Sequence, residues 1–135
     1  MMNALIETLK VLAWASGGSF TVGVLTYEEA KALWEKKKKD VKVGNNTYLV
    51  KTSKGYGIKH FNTVIIDILP HDLYVLDNGG YYTPTTKARF DALSPVRVWS
   101  EKGGWIIVKQ SSGWSGKKVP FEEGMIVDKD GEVVG

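Results

Sequence analysis

The stretch Leu76-Asp77-Asn78-Gly79-Gly80-Tyr81-Tyr82-Thr83-Pro84-Thr85-Thr86-Lys87-Ala88-Arg89-Phe90 decides how this chain is read. An apolar strand end runs into Asp77-Asn78-Gly79-Gly80, where Asn-Gly and Gly-Gly tolerate the positive φ of a tight hairpin turn. Tyr81-Tyr82 then reads as a short returning strand. Thr83-Pro84-Thr85-Thr86 supplies hydroxyl caps for a helix start. That helix is expected over about 85–93, ending before Pro95 because the residue ahead of a proline disfavours helical backbone.

Upstream, Thr63-Val64-Ile65-Ile66-Asp67-Ile68-Leu69 is β-branched and nearly all apolar, the mark of a central strand. Pro70-His71-Asp72 turns it into Leu73 to Leu76. Strands are also expected at Thr47 to Thr52 and Ile58 to Phe61, with Lys42-Val43-Gly44-Asn45-Asn46 as a turn. Downstream, Val96 to Ser100 and Trp105 to Lys109 form a second hairpin across Glu101-Lys102-Gly103-Gly104. A last strand spans Met125 to Asp128. The first forty residues differ in period. Leu5, Ile6, Leu9, Leu12 and Ala13 share a helical face, stopped by Gly17-Gly18. Thr26-Tyr27-Glu28-Glu29 is a capping-box pattern for a second helix burying Ala30, Leu33 and Trp34. The expected architecture is one α+β domain over 1–135. N-terminal helices in 1–40 pack on a curved antiparallel sheet that fills most of 41–135, with one short helix after the Gly79-Gly80 hairpin.

A chain of 135 residues that is 43% hydrophobic and 11% aromatic can bury a core and is not disordered. It has no cysteine, which removes disulfides, thiolate catalysis and cysteine-ligated metals. Residues 1–60 hold ten lysines against five acidic groups, whereas residues 61–135 hold eight Lys or Arg against ten. The uncharged run from Val11 to Leu25 is too short to span a bilayer and is broken by Ser16, Gly17, Gly18, Ser19 and Thr21. Glu7 and Lys10 interrupt the apolar stretch that a signal segment needs, and no basic residue precedes that stretch, so no signal segment is expected. The expected location is the cytoplasm.

Candidate chemistry concentrates in cations interleaved with aromatics. Lys36, Lys37, Lys38 and Lys39 form a basic run that either meets phosphate or sits as a solvated helix end. Tyr82, Lys87 and Arg89 cluster at the start of the helix expected over 85–93, where free amides and hydroxyls favour an anion and a ring can stack a base. Trp114, Lys117 and Lys118 lie in a glycine-rich loop. That loop lacks the Gly and Ser/Thr that a phosphate-binding loop requires at positions 111 and 118. His60 and His71 have no acidic companions at ligand spacing, so no metal or cofactor is expected. Asp67, Asp72 and His71 assemble no hydrolytic constellation, and the protein is expected not to be an enzyme.

Residues 76–93 resemble a motif of small bacteriophage-encoded proteins: Gly-Gly-aromatic, then Thr-x-Thr-Thr-Lys-x-Arg. Here it reads Gly79-Gly80-Tyr81, Thr83, Thr85-Thr86-Lys87 and Arg89, followed by Phe90-Asp91. His60-Phe61-Asn62-Thr63-Val64-Ile65 upstream, and Arg97-Val98-Trp99 and Gly104-Trp105 downstream, extend the resemblance over roughly 44–109. Tyr81 stands where that family usually carries Trp, and Asp91 where it carries Asn. The resemblance implies a phage or mobile-element accessory protein and no particular reaction. The resulting expectation is a non-enzymatic nucleic-acid binder that uses Lys36 to Lys39, Tyr82, Lys87, Arg89, Trp114, Lys117 and Lys118. The alternative is an inhibitor that binds a host enzyme or defence complex through aromatic anchors. No membrane partner is expected.

Overall fold

The computed structural model describes residues 19–135, the side chain of Trp114 excepted. The helix expected over 3–15 and its Gly17-Gly18 stop lie outside the described residues. Five strands follow one another as an antiparallel meander: β1 (Val41–Gly44), β2 (Thr47–Lys51), β3 (Tyr56–His60), β4 (Thr63–Leu69) and β5 (Leu73–Leu76). A late strand, β9 (Met125–Val127), returns antiparallel to β5 and completes a six-stranded sheet. β6 (Val96–Glu101), β7 (Gly104–Lys109) and β8 (Val119–Pro120) make a second, three-stranded antiparallel sheet. The α+β class is as expected, with the sheet divided in two.

β4 has neighbours on both sides, and Ile65, Ile66 and Ile68 are buried, as its β-branched run implies. Helix α1 (Tyr27–Lys37) begins with the expected capping box. The Glu29 N–H donates to Thr26 Oγ1 at 3.1 Å, and the Thr26 N–H donates to Glu29 Oε1 at 2.9 Å. Tertiary bonds then fix the helix start. The Tyr27 N–H donates to Asp72 Oδ1 at 2.8 Å, and the buried Tyr74 hydroxyl donates to the Leu25 carbonyl at 2.7 Å. Ala30 packs inward, and Leu33 and Trp34 lean on the core.

Helix α2 (Pro84–Leu93) joins the two sheets in sequence and packs against both. Thr83 caps it, and Pro84 occupies the first turn, where its missing N–H costs nothing. The helix buries Phe90, Ala92 and Leu93. The Phe90 ring meets Trp105 edge-on at 5.7 Å and Phe121 at 5.9 Å, so α2, β7 and the segment after β8 share one aromatic cluster.

Two local expectations are corrected. The Lys42 to Asn46 segment is not a turn throughout: Val41–Gly44 is a strand, and only Asn45-Asn46 turns, with Asn46 at φ 53°. A Cβ on Gly44 would strike the Phe20 ring, so that glycine allows Phe20 to cover the strand. The Asp77 to Gly80 segment is likewise not a hairpin. Gly79 and Gly80 do take positive φ, 63° and 82°, and the Tyr81 N–H closes the turn onto the Asn78 carbonyl at 2.9 Å. No strand forms at Tyr81-Tyr82, because both edges of β5 are already paired, one with β4 and the other with β9. The chain is turned away into α2 instead.

Phe90 is fully enclosed at 0% exposure between the α2 backbone and two other rings. Phe90→Ala is expected to lower stability by about 3–5 kcal/mol in equilibrium denaturation. A loss below ~1 kcal/mol would mean that α2 is not anchored by this cluster.

Candidate functional site

The first turn of α2 stands between two depressions. On one side is a cleft of about 310 Å³, lined by the β3–β4 turn (His60, Phe61, Asn62, Thr63), by Asn78 and Tyr81, and by Thr83, Thr85 and Thr86. On the other is a groove of about 230 Å³ lined by Lys87, Asp91, Arg97, Val98, Trp99 and Gly113. Consecutive residues, Thr86 and Lys87, therefore face different depressions, as a helical turn of about 100° per residue dictates.

The cleft is built from unusual local choices. Phe61 is 64% exposed and Tyr81 63% exposed, so two aromatic rings stand in solvent at its walls. Phe61 adopts φ 53°, a backbone region disfavoured for a bulky side chain, and its ring lies 4.6 Å from that of His60. Asn78 is 1% exposed. Its Oδ1 accepts from the Gly80 N–H at 2.9 Å, which orients the amide, and its Nδ2 has no hydrogen-bond partner. An unmet buried donor of this kind costs about 1–3 kcal/mol. Burial, aided by the nearby Arg89 charge, lowers the His60 pKa below the usual imidazole value, which favours a neutral ring.

Beside the same turn, the Glu123 carboxylate accepts from the Asn78 N–H at 3.2 Å, and Asp77 Oδ1 accepts from the Gly79 N–H at 2.7 Å. The Glu123 side chain reaches solvent, but partial shielding of its carboxyl, a hydrogen bond to Asp77 and the Asp77 charge push its pKa up to about 6. Below about pH 6 the Glu123 carboxyl keeps its proton and can donate it to Asp77.

The groove gathers cations. The Lys118 ammonium lies 5.7 Å from the centre of the Trp99 ring and 4.0 Å from Glu101. Arg97 is exposed, and Lys87 is half-buried. Asp91, whose carboxylate faces β6 and accepts from the Val98 N–H at 2.8 Å, supplies the opposing charge.

Some of the sequence-predicted residues come together here and others do not. Lys87 and Lys118 converge through Trp99 and Arg97, neither of which was singled out as a site residue; their alternation on one face of β6 was the available signal. Lys117 is exposed on the same loop, and the Trp114 backbone forms a 3-10 turn, Gly113–Ser115, at the groove edge. Tyr82 is not a free stacking plate. Its ring packs edge-on against Trp105 at 5.1 Å, although half of the residue remains exposed. Lys36 to Lys39 are exposed at the end of α1 and lead into Val41, the end of β1 away from the Asn45-Asn46 turn that abuts Phe61.

Arg89 corrects the sequence reading. It is 8% exposed and inward-facing, not a surface cation. Its Nε donates to Thr47 Oγ1 at 2.8 Å, its Nη2 to the Asn45 carbonyl at 2.7 Å, and its Nη1 to the Thr85 carbonyl at 2.7 Å. The Phe20 ring lies 5.3 Å from the guanidinium carbon. Neither Asp91 nor Asp77 is among these hydrogen-bond acceptors. A cation taken out of water needs its donors met, and here its compensation is a set of protein oxygens.

The family model described as Kyanoviridae Gp96 protein matches residues 25–128. The chain belongs to that phage protein family. The match spans α1, both sheets and α2, and it contains the residues of both depressions. No curated protein and no solved structure matches the chain. Among the described residues, no helix is long and apolar enough to cross a membrane, and no group of three acidic or histidine side chains could hold a metal ion.

Two outcomes follow from these contacts. Arg89→Lys replaces a three-way fork by a point charge and is expected to cost about 2 kcal/mol or more in denaturant unfolding; unchanged stability would show that the fork does not hold α2. For Glu123, the unfolded chain releases the proton near pH 4.5 and the folded state near 6. Its stabilising contribution is therefore complete below 4.5 and is lost as pH rises through 6. His60, with a lowered pKa, acts in the opposite sense. Glu123→Gln retains an acceptor for the Asn78 N–H and a donor for Asp77. The Tm difference, variant minus parent, is expected to increase between pH 4.5 and 6.5; a flat difference would remove the proton donated to Asp77.

Proposed function

We propose that this phage-encoded protein is a non-enzymatic binder of single-stranded nucleic acid, and that the strand lies along the N-terminal turn of α2. The observation that carries the reading is the convergence of Lys87, Arg97 and Trp99 in one groove with the Lys118 ammonium above the Trp99 ring. Cations spaced around an aromatic face meet the two needs of a single strand: neutralised phosphates and a surface on which a base can stack. Lys117 lines a separate depression with Lys109 and Ser111, and Lys36 to Lys39 add a more distant field that attracts the same polyanion.

A second reading is an inhibitor that engages a host protein, and it draws on the exposed Phe61 and Tyr81 rings as anchors. Salt separates the two. Phosphate contacts release counterions, so log affinity falls linearly with log salt at about 0.7 per contact for a single strand. Fluorescence anisotropy with labelled single- and double-stranded DNA and RNA, from low to physiological salt, is expected to show single-strand binding with such a slope. The Lys87→Gln/Arg97→Gln/Lys118→Gln variant is expected to lose two to three contacts from it. Affinity unchanged in that variant would reject the groove, and no nucleic-acid binding at any salt would leave the host-protein reading.

A further inference from the structure

We infer that the 310 Å³ cleft across the α2 turn from the groove is a pocket for one unstacked nucleobase, hydrogen-bonded by Asn78 and flanked by Phe61 and Tyr81. This rests on the single-strand reading and adds to it a site that takes the base itself.

Three independent features point to such an occupant. The first is the surplus donor. The turn at Asn78 requires only a side-chain oxygen to accept the Gly80 N–H, and an aspartate would serve equally. What Asn adds is an amide nitrogen, and that nitrogen is buried without an acceptor in a residue that lines the cleft. A base carbonyl or ring nitrogen is an acceptor of the required kind. The second is the pair of rings. Phe61 and Tyr81 line the same cleft from different loops, and each is more than 60% exposed. A flat heterocycle entering between them removes both from water and stacks on at least one. Phe61 holds its ring there from a left-handed backbone position that a turn would more cheaply give to Asn or Gly.

The third is size and setting. A volume of about 310 Å³ is at the lower end of small-ligand sites, which run from about 300 to 1,000 Å³, so it suits one base with part of its sugar and not a stack. The hydroxyls of Thr63, Thr83 and Thr85 and the amide of Asn62 furnish further donors and acceptors around the rim. The α2 N-terminus, with Thr83 as cap, favours the adjoining phosphate. The strand then continues past Thr86 to Lys87, which begins the basic groove. One helical turn thus separates a base-accepting cleft from a phosphate-accepting groove.

The test compares a labelled thymidine decamer with a decamer of the same backbone that lacks bases, both titrated into the full chain at one salt concentration. The two carry the same phosphates, so their affinity ratio reports the bases alone. The thymidine decamer is expected to bind about tenfold or more tightly. Tyr81→Ala, at an exposed position, and Asn78→Asp, which keeps the acceptor for Gly80 and removes the donor, are each expected to move the ratio toward one. Because it is a ratio, the charge added by Asn78→Asp cancels to first order. Equal binding of the two decamers overturns the base pocket and leaves the nucleic-acid reading standing. A ratio that survives both substitutions places the bases elsewhere and also overturns it. Binding of neither decamer overturns both readings.

Discussion

The buried guanidinium of Arg89 is the interaction on which the arrangement of this protein depends. It reaches from the middle of α2 to the β1–β2 turn and bonds two oxygens there, while its third bond returns to the carbonyl of Thr85 in its own helix. A charge taken out of water is tolerated only when its donors are met, so the position of α2 relative to the sheet is specified within hydrogen-bond tolerance. Burial lowers the Arg89 pKa from its usual value, yet a guanidinium retains its proton at any physiological pH. The tie therefore does not switch off with pH.

Both depressions inherit their shape from that tie. The cleft needs the α2 N-terminus beside the β3–β4 turn, and the Asn46 carbonyl that accepts the Phe61 N–H belongs to the same turn whose Asn45 carbonyl holds Arg89. The groove needs the opposite side of α2 against β6, secured by Asp91 on the Val98 N–H and by Gln110, whose amide donates to the Ser94 and Val96 carbonyls. Phe90, between the two, seals the helix onto Trp105 and Phe121. Apolar packing supplies most of the adhesion, and the polar bonds choose one orientation.

Much of this was legible from local pattern. The Thr26–Glu29 box, the Thr83 cap, the β-branched run of β4 and the hairpin of β6 and β7 each depend on residues a few positions apart. The Asn78-Gly79-Gly80 turn was also legible as a turn, and its two glycines take the positive φ that their identity permits. What failed was the inference that a turn implies a returning strand, since that depends on whether the edge of β5 is free. It is occupied by β9, which lies some fifty residues further along the chain. Arg89 was misread for a similar reason. Two of its three acceptors are 42 and 44 residues away, and nothing near it in sequence announces burial.

The candidate site divides along the same line. Lys87 and Lys118 were visible as cations near aromatics, but their shared partner Trp99 and the neighbouring Arg97 join them only through the packing of α2 on β6. The orphan amide of Asn78 cannot be read from a sequence at all, because it is defined by what does not surround it. The sequence by itself determined the types of most of the described elements, their caps, the α+β class and the absence of cysteine chemistry, all properties of short windows or of composition. Only the tertiary structure decided which strand edges were free, which arginine was buried and which loops enclosed a cleft. Those outcomes depend on pairing between residues tens of positions apart, and no local preference encodes such pairing.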